Sequence, residues 1–494
     1  MSRTLGFLLA GLAFAVLATA NAAGYRFGSS DQAFYVPAVT RALQPLSFPR
    51  DAALIDAQAN LVVVDEVLAV ASRATGIATE WLFLIGYLIS IGLTWGGLVA
   101  IGTRVYTSTW LVMALGAAFT MRHRISRTSA NTFEPYFHPR MLAFALGMLA
   151  IGAVLRRRGW LAVALVGVAA IIHTTTALWF AVLLGVALAI LDVTFRRLGV
   201  FAILASAAGL IWAASTGPLR AMWVTMDAVW LQAVASKDSL FADEWPLWAW
   251  ATNLGLLIVL WAAHRTRQTR GTATREDGAL VWGATALVAL FLATLPLVIA
   301  RMSLVIEFQI SRVFWLVDLL ATVYLLAALS EARVKGRQMA LGLATLLVAV
   351  SASRALYVTR IEHPERALFA VHTPSSPWED AMDWVARQAI DTHVLADPGH
   401  SWKYGTSVRV SAGRDVFLEE VKDSAIAIYS RAVAGRVVER TAAIGDFAQL
   451  TAERAQSLAS RYDLDVLVTE ADLPLPLVYR NSQFRIYSLQ LTAR

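Results

Sequence analysis

The residue with the clearest potential for chemistry is Asp31, which follows an apolar segment and precedes an amphipathic stretch. A carboxylate at this position would lie where lipid headgroups meet water. It could accept the free backbone N–H groups of a helix that begins near Gln32. Alternatively, it could take the proton of an attacking hydroxyl group, as a general base does. The sequence leaves both roles open.

Further ionisable residues lie at the ends of later apolar segments. His138 and Arg140 begin one segment, His173 ends the next, and Arg312 lies near the start of another. Ionisable side chains are costly at membrane depth and usually face a polar cavity or another helix. An arginine there could bind a phosphate, whereas an ion pair between Arg312 and Glu307 is the simpler alternative. For His173 the simpler alternative is an interhelical hydrogen bond.

The sequence argues against a zinc site. It has no cysteine, and none of its 8 histidines form a pair with the spacing of metal ligands. Magnesium or manganese needs few protein ligands, so Asp31, Asp51 or Glu134 could hold such an ion together with a substrate phosphate. The choice between a metal site and none stays open.

Composition places these residues in a membrane protein. The chain is 57% hydrophobic and 16% charged, with a mean hydropathy of +0.58, whereas soluble chains average about 25% charged residues. With the apolar segment at 5–20, the pattern predicts an α-helical polytopic membrane protein of about eleven transmembrane helices. The later segments are 81–103, 105–121, 141–155, 160–173, 175–192, 198–216, 246–263, 278–300, 304–330 and 338–357.

Two details of these segments matter for topology. Segments 160–173 and 175–192 are short for a hydrocarbon core of ~30 Å, which predicts a broken pair around His173. The first segment ends in Ala20-Asn21-Ala22, so it is either retained as a span or removed as a signal peptide. In both cases the chain after Gly24 reaches the outer side of the membrane.

Basic residues orient the chain. Arginines cluster in alternate short loops, which are expected to be cytoplasmic; these lie at 104, 156–158, 196–197, 265–275 and 333–337. The N-terminus is then cytoplasmic, and Asp31 faces the periplasmic side of a bacterial inner membrane. Much of the net charge of +7 is therefore topological and does not indicate a nucleic-acid partner. The basic patch at 122–127 is the exception, because this topology places it outside.

Three regions are predicted on the outer side. The first loop, 23–80, shows two amphipathic helices joined by a proline-containing stretch at 45–49. A second loop covers 217–245. The third region, 358–494, has alternating strands and helices typical of a small periplasmic α/β domain with a mainly parallel sheet. Residues 1–357 then form the transmembrane domain. The C-terminal region lacks the glycine-rich motifs of nucleotide-binding domains.

Together these features resemble the GT-C superfamily of integral-membrane glycosyltransferases, and more narrowly a group of bacterial polytopic proteins allied to it. The resemblance covers the whole chain. Thr174 follows His173 where proline is expected, and Asp31 stands alone instead of in an adjacent acidic pair, which weakens the case for a metal. The motifs are Asp31-Gln32 with Pro37-Ala38-Val39, Phe48-Pro49-Arg50-Asp51, His138-Pro139-Arg140, Ile172-His173, Arg312-Val313-Phe314, Leu395-Ala396-Asp397-Pro398 and the stretches 411–419 and 461–468.

The resemblance implies that a sugar is transferred from a polyprenyl-phosphate donor to an acceptor on the outer face of the membrane. Asp31 would be the catalytic residue, either as the base or by orienting the donor. The arginines would stabilise the leaving phosphate. The substrate- and phosphate-binding residues would be Gln32, Asp51, Glu134, His138, Arg140, His173 and Arg312.

Two other classes of function remain open from the residues alone. One is a polytopic transporter, although the chain shows no convincing internal repeat of the kind that many transporters have. The other is a non-catalytic receptor or assembly protein, since the sequence carries no recognised catalytic triad or cofactor motif.

Overall fold

Helices dominate the computed structural model, which describes residues 3–60, 62–121, 123–217, 219–330 and 336–490. Within these ranges, eight helices are long and apolar enough to cross a membrane: Thr4–Asn21, Thr79–Val105, Thr174–Leu191, Val193–Ser215, Leu247–Thr269, Arg275–Ile299, Ser303–Ser330 and Arg337–Glu362. Three shorter apolar helices are Thr109–Thr120, Pro139–Val154 and Gly159–Ile172. Each apolar segment predicted from the sequence therefore contains a helix.

The helix Val193–Ser215 shows most directly that these helices suit a membrane. None of its residues is buried within the protein. Phe201, Ile203, Ile211 and Trp212 are all more than 60% exposed. Soluble proteins rarely expose a continuous apolar surface of this size, so the helix supports the prediction of a membrane protein.

Two of the apolar segments are interrupted. The helices Gly159–Ile172 and Thr174–Leu191 meet at His173, whose φ of −155° breaks the helix; the predicted broken pair is thus confirmed. Segment 304–330, predicted as one apolar span, is found as the stretch Ser303–Ser330, but it is broken near its start. It consists of a short helix Ser303–Glu307, a turn at Ile310–Arg312 and the helix Val313–Ser330. The break occurs at Gln309, which has a left-handed φ of 48°.

Contacts between loops define one end of the helix bundle. Arg104 Nε donates to the carbonyl oxygen of Leu155 at 2.9 Å, and Arg157 Nε lies 2.5 Å from Glu276 Oε1. These residues all belong to helix ends or loops that the arginine pattern assigns to the cytoplasmic side. Of the predicted cytoplasmic loop 333–337, residues 333–335 lie outside the described ranges.

The basic patch at 122–127 lies at the opposite end of the bundle. Arg124–Ile125 pairs with Ala130–Asn131 in a short antiparallel hairpin. Arg127 forms an ion pair with Asp238 of the second outer loop. The patch therefore lies with the second outer loop, although Arg122 itself is outside the described residues.

The first outer loop contains the two predicted helices, Gln32–Leu43 and Val64–Thr75, and a third that was not predicted, Ala52–Ala59. The additional helix, Ala52–Ala59, is short, and its Leu54 and Ile55 are buried in a hydrophobic cluster shared with the C-terminal domain. The local sequence pattern does not reveal that the helix packs against the C-terminal domain. Leu61, which contributed to the predicted second helix, lies outside the described residues.

The second outer loop is short and docks on the C-terminal domain. It contains the helix Ala228–Val234 and the 3₁₀ turns Arg220–Met222 and Ala242–Glu244. Trp230 Nε1 donates to the carbonyl oxygen of Ala427 at 2.7 Å, and Lys237 Nζ donates to that of Val421 at 2.8 Å. The two outer loops and the C-terminal domain therefore form one assembly at the same end of the bundle.

The C-terminal domain contains a five-stranded sheet in the order Asp415–Val416, His393–Leu395, Val466–Thr469, Arg485–Ser488, Leu477–Arg480. The first three strands are parallel and the last two pair antiparallel, so the sheet is mixed and not mainly parallel as predicted. Its helices are Pro377–Ala386, His400–Tyr404, Val408–Ser411, Glu420–Ile426, Arg431–Ile444 and Ala452–Tyr462. The helices Glu420–Ile426 and Arg431–Ile444 are separate because Ser430 begins a new helix by accepting the N–H of Val433.

Candidate functional site

Asp31 lies between the bundle of apolar helices and the C-terminal domain. Its side chain makes no hydrogen bond to the start of the helix Gln32–Leu43, so the helix-cap alternative is wrong. Instead, Asp31 Oδ1 accepts from Lys422 Nζ at 2.9 Å, and Oδ2 accepts from the Tyr136 hydroxyl at 3.2 Å. His138 Nε2 lies 3.4 Å from the same Oδ2. The carboxylate is 28% exposed and thus remains accessible.

The hydrogen bonds of His138 determine which ring nitrogen carries its proton. Nδ1 accepts the backbone N–H of Arg140 at 3.0 Å and thereby caps the helix Pro139–Val154. A neutral imidazole has one donor and one acceptor, so Nε2 carries the proton and faces Asp31. Burial and the neighbouring Arg140 lower the pKa of His138 to about 4. The ring is therefore a neutral donor to Asp31 near pH 7.

Lys422 and His138 keep Asp31 ionised. Burial by itself would raise the pKa of Asp31, but the Lys422 ammonium and the His138 N–H lower it to well below its usual value. A carboxylate with a low pKa is a good hydrogen-bond acceptor and a weak base. It can accept a proton from a hydroxyl group only while the hydroxyl oxygen forms its new bond, because the hydroxyl becomes more acidic at that stage.

Two arginines lie within electrostatic range of this carboxylate. Arg140 is 3% exposed, and its Nη2 donates to Glu134 Oε1 at 3.2 Å. Arg312 lies within electrostatic range of both Arg140 and Asp31. Its buried Nε has no hydrogen-bond partner, and no carboxylate of the described residues lies within ion-pairing distance of its guanidinium. Arg312 thus brings a positive charge that the surrounding residues do not neutralise.

The simpler alternative for Arg312 is therefore wrong. Glu307 and Arg312 form no ion pair, although both residues are described. One buried carboxylate oxygen of Glu307 also lacks a hydrogen-bond partner. The break at Gln309 separates the two residues, because it places Glu307 at the end of one helix and Arg312 in the following turn.

His173 belongs to the same group. Its ring centroid lies 6.1 Å from that of His138, and Arg140 and Arg312 lie within electrostatic range. Its Nδ1 accepts the backbone N–H of Thr176 at 3.3 Å, as the N-cap of the helix Thr174–Leu191. His173 therefore caps its own helix instead of forming the interhelical hydrogen bond considered from the sequence. Because Nδ1 is the acceptor, Nε2 of the neutral ring is a donor.

The structure thus brings Asp31, Glu134, His138, Arg140, His173 and Arg312 together. Gln32 is next to them, but its side chain binds backbone groups. Its Oε1 accepts the Gly28 N–H at 2.7 Å, and its Nε2 donates to the Phe137 carbonyl oxygen at 3.3 Å. Asp51 lies in a different cluster, where Arg409 Nε donates to it at 2.7 Å and Arg436 forms a second ion pair.

Sequence reasoning missed four polar residues of the site. Lys422 and Tyr429 come from the C-terminal domain, and Tyr35 and Tyr136 flank the motifs that were recognised. The Tyr429 hydroxyl accepts from Gln309 Nε2 at 2.8 Å and lies within electrostatic range of Arg312 and Asp31. Burial raises the pKa of Tyr429, so its hydroxyl keeps a proton that it can donate.

The site does not have the ligand arrangement of a magnesium or manganese ion. Asp31, Glu134 and Asp51 each form ion pairs with a different cation, namely Lys422, Arg140 and Arg409. Within the described residues, no group of three or more histidine, aspartate or glutamate side chains could hold a metal ion. The carboxylates suggested for such an ion therefore do not converge on one position.

Comparisons with known proteins add no relatives. No protein-family model matches the chain, and no curated protein matches it either. The resemblance to the GT-C superfamily therefore depends on the motifs themselves.

Proposed function

We propose that the chain is a membrane glycosyltransferase that takes a sugar from a polyprenyl-phosphate donor, with the Asp31 end of the bundle on the periplasmic side of a bacterial inner membrane. In this proposal the eight long and three short apolar helices form the spans, and the N-terminus is cytoplasmic. The fold would be related to the GT-C superfamily. The C-terminal domain covers the site from the periplasm.

The observation that carries the proposal is the unneutralised charge of Arg312 beside Arg140 and Asp31. A guanidinium without a carboxylate partner is costly to bury, and a phosphate is the anion whose geometry suits two arginines. The site lies at the end of an apolar bundle, where a prenyl chain would pack against the helices and its phosphate would reach the arginines. A soluble phosphate ligand would not require such a position.

The arrangement suits a displacement at the anomeric carbon of the donor sugar. The acceptor oxygen forms a bond to that carbon, while the bond from the carbon to the phosphate oxygen breaks and its electron pair stays on the phosphate. Arg140 and Arg312 would stabilise the charge that develops there. Asp31 would take the acceptor proton late in the step and release it to water. Attack opposite the leaving phosphate inverts the configuration.

The position of the polar residues favours this proposal over a transporter. Substrate sites of transporters commonly lie near the bilayer midplane between discontinuous helices. Here the group around Asp31 lies at one end of the bundle, under the C-terminal domain, and the helix breaks at His173 and Gln309 lie at that same end. A group transfer at the membrane surface needs this arrangement.

The test is a transfer assay with purified protein in phospholipid vesicles. Undecaprenyl-phosphate carrying radiolabelled glucose, mannose or galactose serves as the donor, a detergent extract of bacterial envelopes supplies the acceptor, and the release of undecaprenyl phosphate is measured. We expect turnover by the wild type with at least one donor and loss of about 100-fold or more in Asp31→Asn. Asp238→Asn, which alters an exposed carboxylate at the same end, should be active. Equal activity of Asp31→Asn and wild type would disprove the role of Asp31.

A further inference from the structure

Lys422 is held against Asp31 by the C-terminal domain, although 391 residues separate the two in sequence. Its side chain is buried, and its Nζ donates to Asp31 Oδ1 at 2.9 Å and to Ser30 Oγ at 3.2 Å. The ammonium also lies 5.6 Å from the centre of the Phe34 ring. The ammonium therefore contacts the carboxylate, a hydroxyl and an aromatic face at once.

The helix that carries Lys422, Glu420–Ile426, is fixed on both sides. Lys237 donates to the carbonyl oxygen of Val421 at 2.8 Å, immediately before Lys422. Asp423, immediately after it, accepts from Arg409 Nη1 at 2.6 Å. Lys422 is thus placed by its neighbours before any substrate binds, which lowers the cost of holding a flexible side chain in one position.

The groups around Asp31 are suited to an ammonium ion and not to a metal ion. A magnesium or manganese ion needs about six oxygen ligands in octahedral geometry. The neighbours of the carboxylate are the Lys422 ammonium, the Tyr136 hydroxyl and the His138 N–H, all of which donate hydrogen bonds to it. These donors already occupy part of the carboxylate, and the Lys422 ammonium would repel a divalent cation at the side that stays accessible.

We propose that Lys422 is the permanent cationic partner of Asp31 and takes the place that a divalent metal ion would otherwise occupy, so that the site works without one. As far as the reaction is concerned, this inference rests on the proposed function. The exclusion of metal ions from Asp31 is a property of the chain and can be tested without activity. Lys422 is in this sense a positioning residue, because it orients Asp31 and sets its charge.

The first experiment measures metal binding directly. Purified wild-type protein, treated with EDTA and dialysed, is titrated with Mn²⁺ and followed by electron paramagnetic resonance. We expect no difference in bound Mn²⁺ between the wild type and Asp31→Asn. Mn²⁺ binding by the wild type that disappears in Asp31→Asn would overturn the inference, whether or not transfer has been detected.

The second experiment uses the transfer assay. EDTA should leave wild-type turnover unchanged within about twofold, and Mg²⁺ should not raise it. Lys422→Met, which keeps the length of the side chain and removes the charge, should lower turnover by about 100-fold, and Lys422→Arg should restore part of it. Lys403→Met, which alters an exposed lysine of the same domain, is the matched control. Loss of wild-type turnover in EDTA and its recovery with Mg²⁺ would contradict the inference.

The pH profile separates this role from a purely structural one. Tyr136, His138 and Lys422 contact Asp31, and Arg140 and Arg312 lie within electrostatic range of it. Without the Lys422 ammonium, burial raises the pKa of Asp31, so the acidic limb of the profile should move to higher pH in Lys422→Met. A folded Lys422→Met protein with wild-type turnover and profile would refute the assignment. Lys422→Gln, which also removes the charge, provides the same comparison if Lys422→Met does not fold.

The two proposals fail in different ways. If Asp31→Asn retains transfer, the proposed function of the site is wrong. If Asp31→Asn is inactive but Lys422→Met is as active as the wild type, the function stands and only the role of Lys422 is wrong.

Discussion

Arg409 Nε donates to Asp51 Oδ2 at 2.7 Å, and both side chains are almost completely buried. This contact joins the first outer loop to the C-terminal domain. Arg409 also pairs with Asp423, which directly follows Lys422. The buried pair therefore has an indirect function: it fixes the helix that places Lys422 against Asp31.

Loss of Arg409 should destabilise the docked C-terminal domain strongly. Arg409→Met leaves Asp51 and Asp423 without their shared buried partner, and breaking a buried ion pair in this way costs about 3–5 kcal/mol. Unfolding in urea of the detergent-solubilised protein measures the loss. Arg41→Gln, which breaks the partly exposed pair with Asp56, should cost only about 0–1 kcal/mol. Similar costs for the two variants would contradict a special role of Arg409.

The stability of the protein should depend on pH through Glu419. This carboxyl is fully buried, and its Oε2 lies 3.6 Å from Arg409 Nη1 and 4.0 Å from His400 Nε2. Burial raises the pKa of Glu419 from its ordinary 4.5 to about 7, against the effect of Arg409. In the unfolded chain the carboxyl ionises near 4.5, so its contribution to stability is complete below that pH and is lost as the pH rises to about 7.

Glu419→Gln should remove this dependence. Relative to the wild type, the variant should become more stable by about 3 kcal/mol between pH 4.5 and pH 8. Urea unfolding at a series of pH values gives the difference directly. Glu439→Gln, at a half-exposed position of the same domain, is the control and should show no such trend. A constant difference between Glu419→Gln and wild type at all pH values would show that Glu419 ionises normally in the fold.

The proposed topology predicts which residues are accessible from outside the cell. The chain has no cysteine, so one introduced cysteine gives an unambiguous signal. Ser460→Cys, on an exposed position of the C-terminal domain, should react with a membrane-impermeant maleimide in cells whose outer membrane has been made permeable. Thr269→Cys, exposed at the opposite end of the bundle, should react only after the inner membrane is also broken. The reverse pattern would mean that the orientation is inverted.

The Tyr429 hydroxyl should contribute to phosphate binding. It accepts a hydrogen bond from Gln309, so its own proton is available for an anion held by Arg312. Tyr429→Phe keeps the ring and removes only this donor, which should weaken the binding of undecaprenyl phosphate about tenfold. Microscale thermophoresis in nanodiscs measures the affinity, with Tyr479→Phe as a control in the same domain. Unchanged affinity of Tyr429→Phe would place the phosphate elsewhere.

The sequence predicts the apolar helices and the positions of part of the candidate site, because both follow from local patterns. Apolar runs locate the helices, and the break at His173 follows from two short segments. Asp31, His138, Arg140, His173 and Arg312 were placed on one side of the membrane because each lies at the end of a segment whose direction follows from the arginines. The structure brings these five residues together.

Other parts of the site depend on contacts that no local pattern reveals. Lys422 lies in an ordinary short helix of a domain that looks separate, and only the folded chain brings it to Asp31. The position of Asp51 in the first outer loop is typical of a binding residue. Its side chain instead pairs with Arg409, which is distant in sequence. No glycine or proline near Gln309 predicts the helix break there. It separates Glu307 from Arg312, which the sequence alone would pair.

The most direct test of the central claim is the affinity of the purified protein for undecaprenyl phosphate compared with undecaprenol, which has the same chain without the phosphate. We predict that the wild type binds the phosphate about 100-fold more tightly, and that Arg312→Gln loses most of this preference because charged hydrogen bonds contribute about 1.5–3 kcal/mol each. Arg127→Gln, at the same end of the bundle, should keep it. Equal affinity for the two lipids, or a full preference in Arg312→Gln, would contradict a lipid-phosphate site at Arg140 and Arg312.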